Sequence, residues 1–130
     1  MNRSDWQLPS HARREQRALQ AIGIKSWQAL AELDDHQLLQ LAATGQVSAV
    51  TLHRLRGQAR LMQEVGLEPG QAALLLHAGV ADRCGLAQAD PQQLWVQTGR
   101  LQRRLTGLAV QPPDLATLKR WIQRARQATN

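Results

Sequence analysis

Apolar residues recur along this chain at the three- and four-residue intervals of amphipathic helices, and no stretch shows the strict alternation of a half-buried strand. Two stripes are clearest. Leu52, Leu55, Ala59 and Met62 mark one, and Leu118, Trp121, Ile122 and Ala125 mark the other. Both read as core faces, Trp121 included, because an aromatic within a helical stripe packs inside more often than it offers a stacking surface. Divided at its glycines, prolines and capping residues, the chain is expected to form helices over 10–21, 26–32, 35–43, 48–64, 69–78, 82–88, 91–104 and 114–127. The expected fold class is all-α.

The punctuation itself repeats. Residues 21–39 align with 77–95 at a constant spacing of 56, pairing Gly23 with Gly79, Leu30 with Leu86, Ala31 with Ala87, Asp34 with Asp90, Gln37 with Gln93 and Leu38 with Leu94. Ten further residues then enter the second copy, after which Thr51-Leu52-His53-Arg54 and Ala59-Arg60 return as Thr117-Leu118-Lys119-Arg120 and Ala125-Arg126. Each match has a local reason. Gly23 and Gly79 suit the left-handed residue that ends a helix, and Ser26, Asp82, Asp34 and Asp90 suit N-caps. Pro91 falls in a first turn, where its missing N–H costs nothing. The expected organisation is a tail over 1–7, a first helical repeat over 8–64 and a second over 65–130, packed as one domain.

A chain of 130 residues is the size of one ordinary domain, and with four Trp and no Phe or Tyr its core must be built from Leu, Ala, Val and Ile. The lone Cys84 excludes an intrachain disulfide, and it lies outside zinc-ligand spacing from His77. Met1 to Ser10 contains no apolar leader core, and the longest apolar run, Ala72 to Leu76, is too short for a bilayer; a cytoplasmic protein without a membrane partner is expected. Asp34 and Asp35 have no second carboxylate cluster to work with, and the four His are scattered. No nucleophile–base pair, metal set or phosphate loop is visible, so neither enzymatic activity nor a cofactor or metal is expected.

The net charge of +6 makes a polyanion the first partner to consider, although the arginine-rich composition has a second source in genomic bias. Glu64 to Val80, with Gly66-Leu67-Glu68 at its turn, resembles the helix-hairpin-helix signature, and Leu8 to Ile24 is a weaker copy. The ending from Pro112 to Arg126 looks like the closing helix of a bacterial family of unknown function built from tandem helix-hairpin-helix units. The resemblance covers nearly the whole chain from Leu8. It implies turns that hold backbone N–H groups at a helix N-terminus against a phosphate. The turns would be Ser10-His11-Ala12, followed by Arg13 and Arg14, and Gly66-Leu67-Glu68.

Both turns depart from the pattern. Glu68 stands where a second glycine is expected, and no Lys or Arg follows before His77. The first turn has lost both glycines, though Arg13, Arg14 and Arg17 keep that end basic. Binding would therefore fall to side chains on the helices. His53, Arg56 and Arg60 share a sector of the fourth helix opposite Leu55 and Met62; Lys119 and Arg126 share a polar face of the last helix; Arg103 and Arg104 lie near the inserted segment. If Arg56, Arg60, Lys119 and Arg126 are exposed, these faces form a phosphate track. The alternative for each is an ordinary solvated helix face. Two functions follow as expectations: a non-catalytic module that contacts DNA or RNA phosphates without sequence specificity, or a protein-interaction adaptor on a scaffold that has lost DNA binding. Thr98 to Pro113, with Leu108, Ala109 and Val110, is the least regular stretch, and Pro112 and Pro113 set the entry to the last helix.

Overall fold

Short polar side chains decide where each helix begins. In the computed structural model, which describes Leu8, residues 12–104 and residues 113–128, Ser26 accepts a hydrogen bond from the Ala29 N–H at 3.1 Å and Asp82 accepts one from Gly85 at 2.7 Å. Asp34 and Gln37 cap each other reciprocally, and Asp90 accepts from Gln93 at 3.1 Å. Ser48 and Asp114 accept from Thr51 and Thr117 in the same way. These caps satisfy N–H groups that have no partner within their own helix.

The described residues form eight α-helices and no strand: α1 Arg13–Ala21, α2 Trp27–Ala31, α3 Asp35–Ala42, α4 Ala49–Leu61, α5 Pro69–His77, α6 Arg83–Ala87, α7 Pro91–Arg104 and α8 Leu115–Ala128. A π-helical turn, Met62–Gly66, continues α4. The starts of α1 and α5, α2 and α6, and α3 and α7 are each 56 residues apart, and those of α4 and α8 are 66 apart. Gly23 and Gly79 sit at φ +90° and +94°, and after each the next residue donates back to Leu19 or Leu75 at 2.9 Å. A left-handed glycine closes both helices because any Cβ there is strained.

The extra length of the second half enters at α7, which runs 14 residues against eight in α3. Thr98, the first residue of the stretch expected to be irregular, is fully buried within that helix and donates to the Leu94 carbonyl at 2.9 Å. Leu108, Ala109, Val110 and Pro112 lie outside the described residues; Pro113, just before α8, is buried.

Two apolar clusters form. One gathers Leu19, Trp27, Leu30, Leu38, Leu52, Leu55 and Ala59, and the other Leu61, Val65, Leu75, Leu86, Leu94, Leu118, Trp121 and Ile122. Each buried leucine contributes about 1.5–3 kcal/mol. Half-buried Met62 packs against both clusters. On α4 the buried residues of the first cluster run to Ala59, and Leu61 belongs to the second. Leu61 lies nine residues after Leu52, roughly half a turn around the helix, so α4 presents one apolar side to each core. Among the described residues no helix is long and apolar enough to cross a membrane.

The halves pack closely at Gly57. A Cβ placed there would lie 3.0 Å from the Ala81 carbonyl oxygen, in the turn between α5 and α6. Gly57→Val is therefore expected to lower the unfolding free energy in urea by about 1–3 kcal/mol. The matching change at exposed Gln123 on α8 is expected to alter it by about 0.5 kcal/mol or less.

Candidate nucleic-acid interface

A five-residue helix leaves its last carbonyls without donors, and α2 and α6 are both that short. Arginines on the long helices supply the donors. Arg60 donates through Nε to the Ala31 carbonyl at 3.0 Å and through Nη2 to the Leu33 carbonyl at 3.1 Å. Arg56 donates through Nη1 to the same Leu33 oxygen at 3.2 Å and pairs through Nη2 with Asp35 at 2.6 Å. Its Nη2 also lies 3.4 Å from Nδ1 of His53. In the second half Arg126 donates through Nε to the Ala87 carbonyl at 2.9 Å.

This geometry corrects the expected track. Arg56 is buried, with 8% of its surface exposed, Arg60 is half-buried, and exposed Arg126 is tied to α6. The helical wheel places Arg56 and Arg60 opposite the Leu55 and Met62 stripe, but that sector of α4 faces α2 rather than solvent. Positive charge also suits the negative end of the α2 dipole. Arg56 has Ile122 as its counterpart by spacing, and Ile122 is buried too. Of the four residues expected on the surface, Lys119 alone is exposed without a described partner.

Asp35 itself is largely exposed. The hydrogen bond from Arg56, and then the Arg56 charge, hold its carboxyl below the ordinary value of 3.8. Asp114 is lowered as well, by hydrogen bonds from Thr117.

The Gly66-Leu67-Glu68 turn does join two helices, the α4 continuation and α5. Gly66 takes φ +82° and Leu67 is buried. The Glu68 N–H, which a phosphate would have to reach, donates instead to Oε1 of Gln71 at 2.9 Å. Glu68 is the N-cap residue of α5, and it brings a carboxylate to the place where a ligand anion would sit. At the other turn Ala12 is buried ahead of α1, while Ser10 and His11 lie outside the described residues. Arg103 and Arg104 belong to α7, and their side chains lie outside the described set.

Among the sequence-derived candidates, three exposed cations lie together on α1. Arg13, Arg14 and Arg17 are exposed, and no described residue pairs with them. They occupy one side of the helix, opposite buried Glu15 and Leu19. Arg13 and Arg14 line an open cleft with Gly45, Ser48 and Thr51, at the N-terminal end of α4. Glu15 closes its floor by accepting from the Ser48 N–H at 2.9 Å. Thr51 also lines a second cleft, with Arg54 and His77. Arg54 was absent from the sequence-derived candidates because nothing in its helical position distinguishes it from any other solvated arginine. The two clefts share Thr51, which places Arg54 on α4 in the cleft next to that of Arg13 and Arg14. Among the described residues no three His, Cys, Asp or Glu side chains gather as a metal site requires, and Cys84 is exposed.

The model of a domain family of unknown function, DUF4332, matches residues 9–128, and the chain belongs to that family. No curated protein and no solved structure matches it.

Removal of the helix-end donors is expected to act on stability. Arg60→Ala should cost about 1–3 kcal/mol and Arg126→Ala, whose bond to Ala87 is exposed, about 0.5–1.5 kcal/mol, read from urea unfolding. The Asp35–Arg56 pair should show in the pH dependence. A lowered carboxylate stabilises the folded chain above its unfolded pKa, and that contribution is lost as pH falls through the folded value. Wild type should therefore exceed Asp35→Asn in stability at neutral pH, and the difference should shrink as acid titration passes below 3.8. A difference that persists unchanged into stronger acid would remove the ion pair as its cause.

Proposed function

We propose that this DUF4332 protein is a non-catalytic nucleic-acid-binding module that contacts phosphates without sequence specificity, on a scaffold of two diverged helix-hairpin-helix units. The observation that carries the reading is the set Arg13, Arg14 and Arg17, exposed on one side of α1 and without a described partner. Guanidinium groups match phosphate oxygens in a bidentate fork. The net charge of +6 favours the encounter. Contact falls to these side chains because the Gly66-Leu67-Glu68 turn caps itself.

The paired-unit part of the reading is supported by side-chain chemistry at matched places. Gly23 and Gly79 end helices in the same conformation, three cap pairs recur, and Arg60 and Arg126 each donate to the last residue of the short helix in their own half.

A second reading, a protein-interaction adaptor, draws on a different observation. Leu39 and Trp95 hold equivalent places in α3 and α7 by the 56-residue spacing, and both are exposed, at 59% and 48%, with Val96 beside Trp95. Outward-facing residues of this size are enriched where proteins meet.

Fluorescence anisotropy with labelled duplex DNA across a salt series tests the first reading. Each phosphate contact contributes roughly 0.9 to the slope of log affinity against log salt, so Arg13→Gln, Arg14→Gln and Arg17→Gln combined should flatten that slope by roughly 2–3. Trp95→Ala should leave it unchanged. Failure of the wild-type chain to bind at low salt, or an unaltered slope in the triple variant, overturns the assignment.

A further inference from the structure

At the junction between the halves, α4 lies against α5 and the turn that follows it. Gly57 admits the Ala81 carbonyl and the Leu76 side chain, buried Gln58 donates through Nε2 to the Pro69 carbonyl at 2.9 Å, and Leu61 is fully buried. On the opposing side Ala73 and Leu76 are half-buried. Glycine, one satisfied amide and small or branched apolar side chains are what allow two helical layers to close.

The spacings of 56 and 66 map this junction onto two other surfaces. The places of Gly57, Gln58 and Leu61 are taken on α8 by Gln123, Arg124 and Gln127. Those of Ala73, Leu76 and Ala81 are taken by Arg17, Gln20 and Lys25, on α1 and in the turn after it. All six replacements are exposed. Each is longer or more polar than its junction counterpart, and the three charged ones are cations, divided between both faces.

We propose that these two faces are the open ends of the same junction, that the partner they fit is a second copy of this chain, and that their side chains block such head-to-tail stacking. The block has two parts. Arg124, which donates through Nη1 to the Val65 carbonyl of its own chain at 3.3 Å, keeps its charge on the face opposite Arg17 and Lys25, and Gln123 puts a longer side chain where the junction holds glycine. A contact of this kind joins unlike faces and does not close on itself, so an unblocked chain would grow into open arrays. Stacked repeats require polar terminal faces for the same reason. The inference rests on the paired-unit part of the proposed function and is independent of nucleic-acid binding.

Sedimentation velocity without nucleic acid tests it. One variant carries Arg17→Ala, Gln20→Leu and Lys25→Ala; another carries Gln123→Gly, Arg124→Gln and Gln127→Leu. The natural chain and each variant alone should sediment as monomers. An equal mixture should give a species of twice the mass, and a chain with all six substitutions should grow with concentration. If circular dichroism shows lost helicity with Gln123→Gly, the six-substitution chain is also examined at lower temperature, where natural helicity is the condition for reading its mass. Monomers throughout, with natural helicity retained, overturn the proposal. So does self-association of the natural chain that Arg17→Glu abolishes. Failure of the DNA titration leaves these outcomes unaffected, and failure here leaves that titration intact.

Discussion

Carbonyl oxygens at the end of a short helix need donors, and in this molecule long helices provide them from the side. Neither α2 nor α6 contains enough residues to be stable in isolation. Each is held at its start by a capping side chain and at its end by an arginine reaching across from the closing helix of its own half. The apolar residues Trp27, Leu30 and Leu86 then lie in register with their cores. Without the guanidinium donors, the ends of these helices would carry unsatisfied carbonyls close to apolar packing, at a cost comparable to the loss of a hydrogen bond. The first half reinforces the arrangement with Arg56, whereas the second replaces that residue with Ile122 and relies on apolar contact.

The same interaction explains why a strongly basic sequence has a smaller cationic surface than its charge suggests. Arginine serves two purposes that composition cannot separate, anchoring a helix end and facing solvent. On α4 the anchoring residues alternate with the exposed Arg54. On α1, which has no preceding helical layer among the described residues, the arginines face outward. Arg13, Arg14 and Arg17 anchor no helix end among the described residues, and that rather than their type leaves them exposed.

Much of the fold was legible in the sequence because it is written in local chemistry. Helix starts at Asp34, Ser48, Asp82 and Asp90, the left-handed glycines at 23 and 79, and the core stripes ending in Met62 and Ala125 all depend on neighbours a few residues away. The interface was less legible. The polar side chains of Arg56 and Arg60 look solvated on a helical wheel, and only the packing of α2 reveals what they bind. Leu61 was overlooked as a core residue because α4 is apolar on two sides, and a single stripe describes only one of them. The capping role of Glu68 was visible as a departure from the expected turn, while its Gln71 partner required coordinates.

One continuous segment, α4 with its π turn, contributes to both apolar clusters, and Met62 touches each. Unwinding that segment to release one half would strip buried side chains from the other in the same event. The halves are thus joined through a shared stretch of backbone as well as across the surface where α4 meets α5. Two units of similar construction are thereby expected to unfold in one cooperative transition.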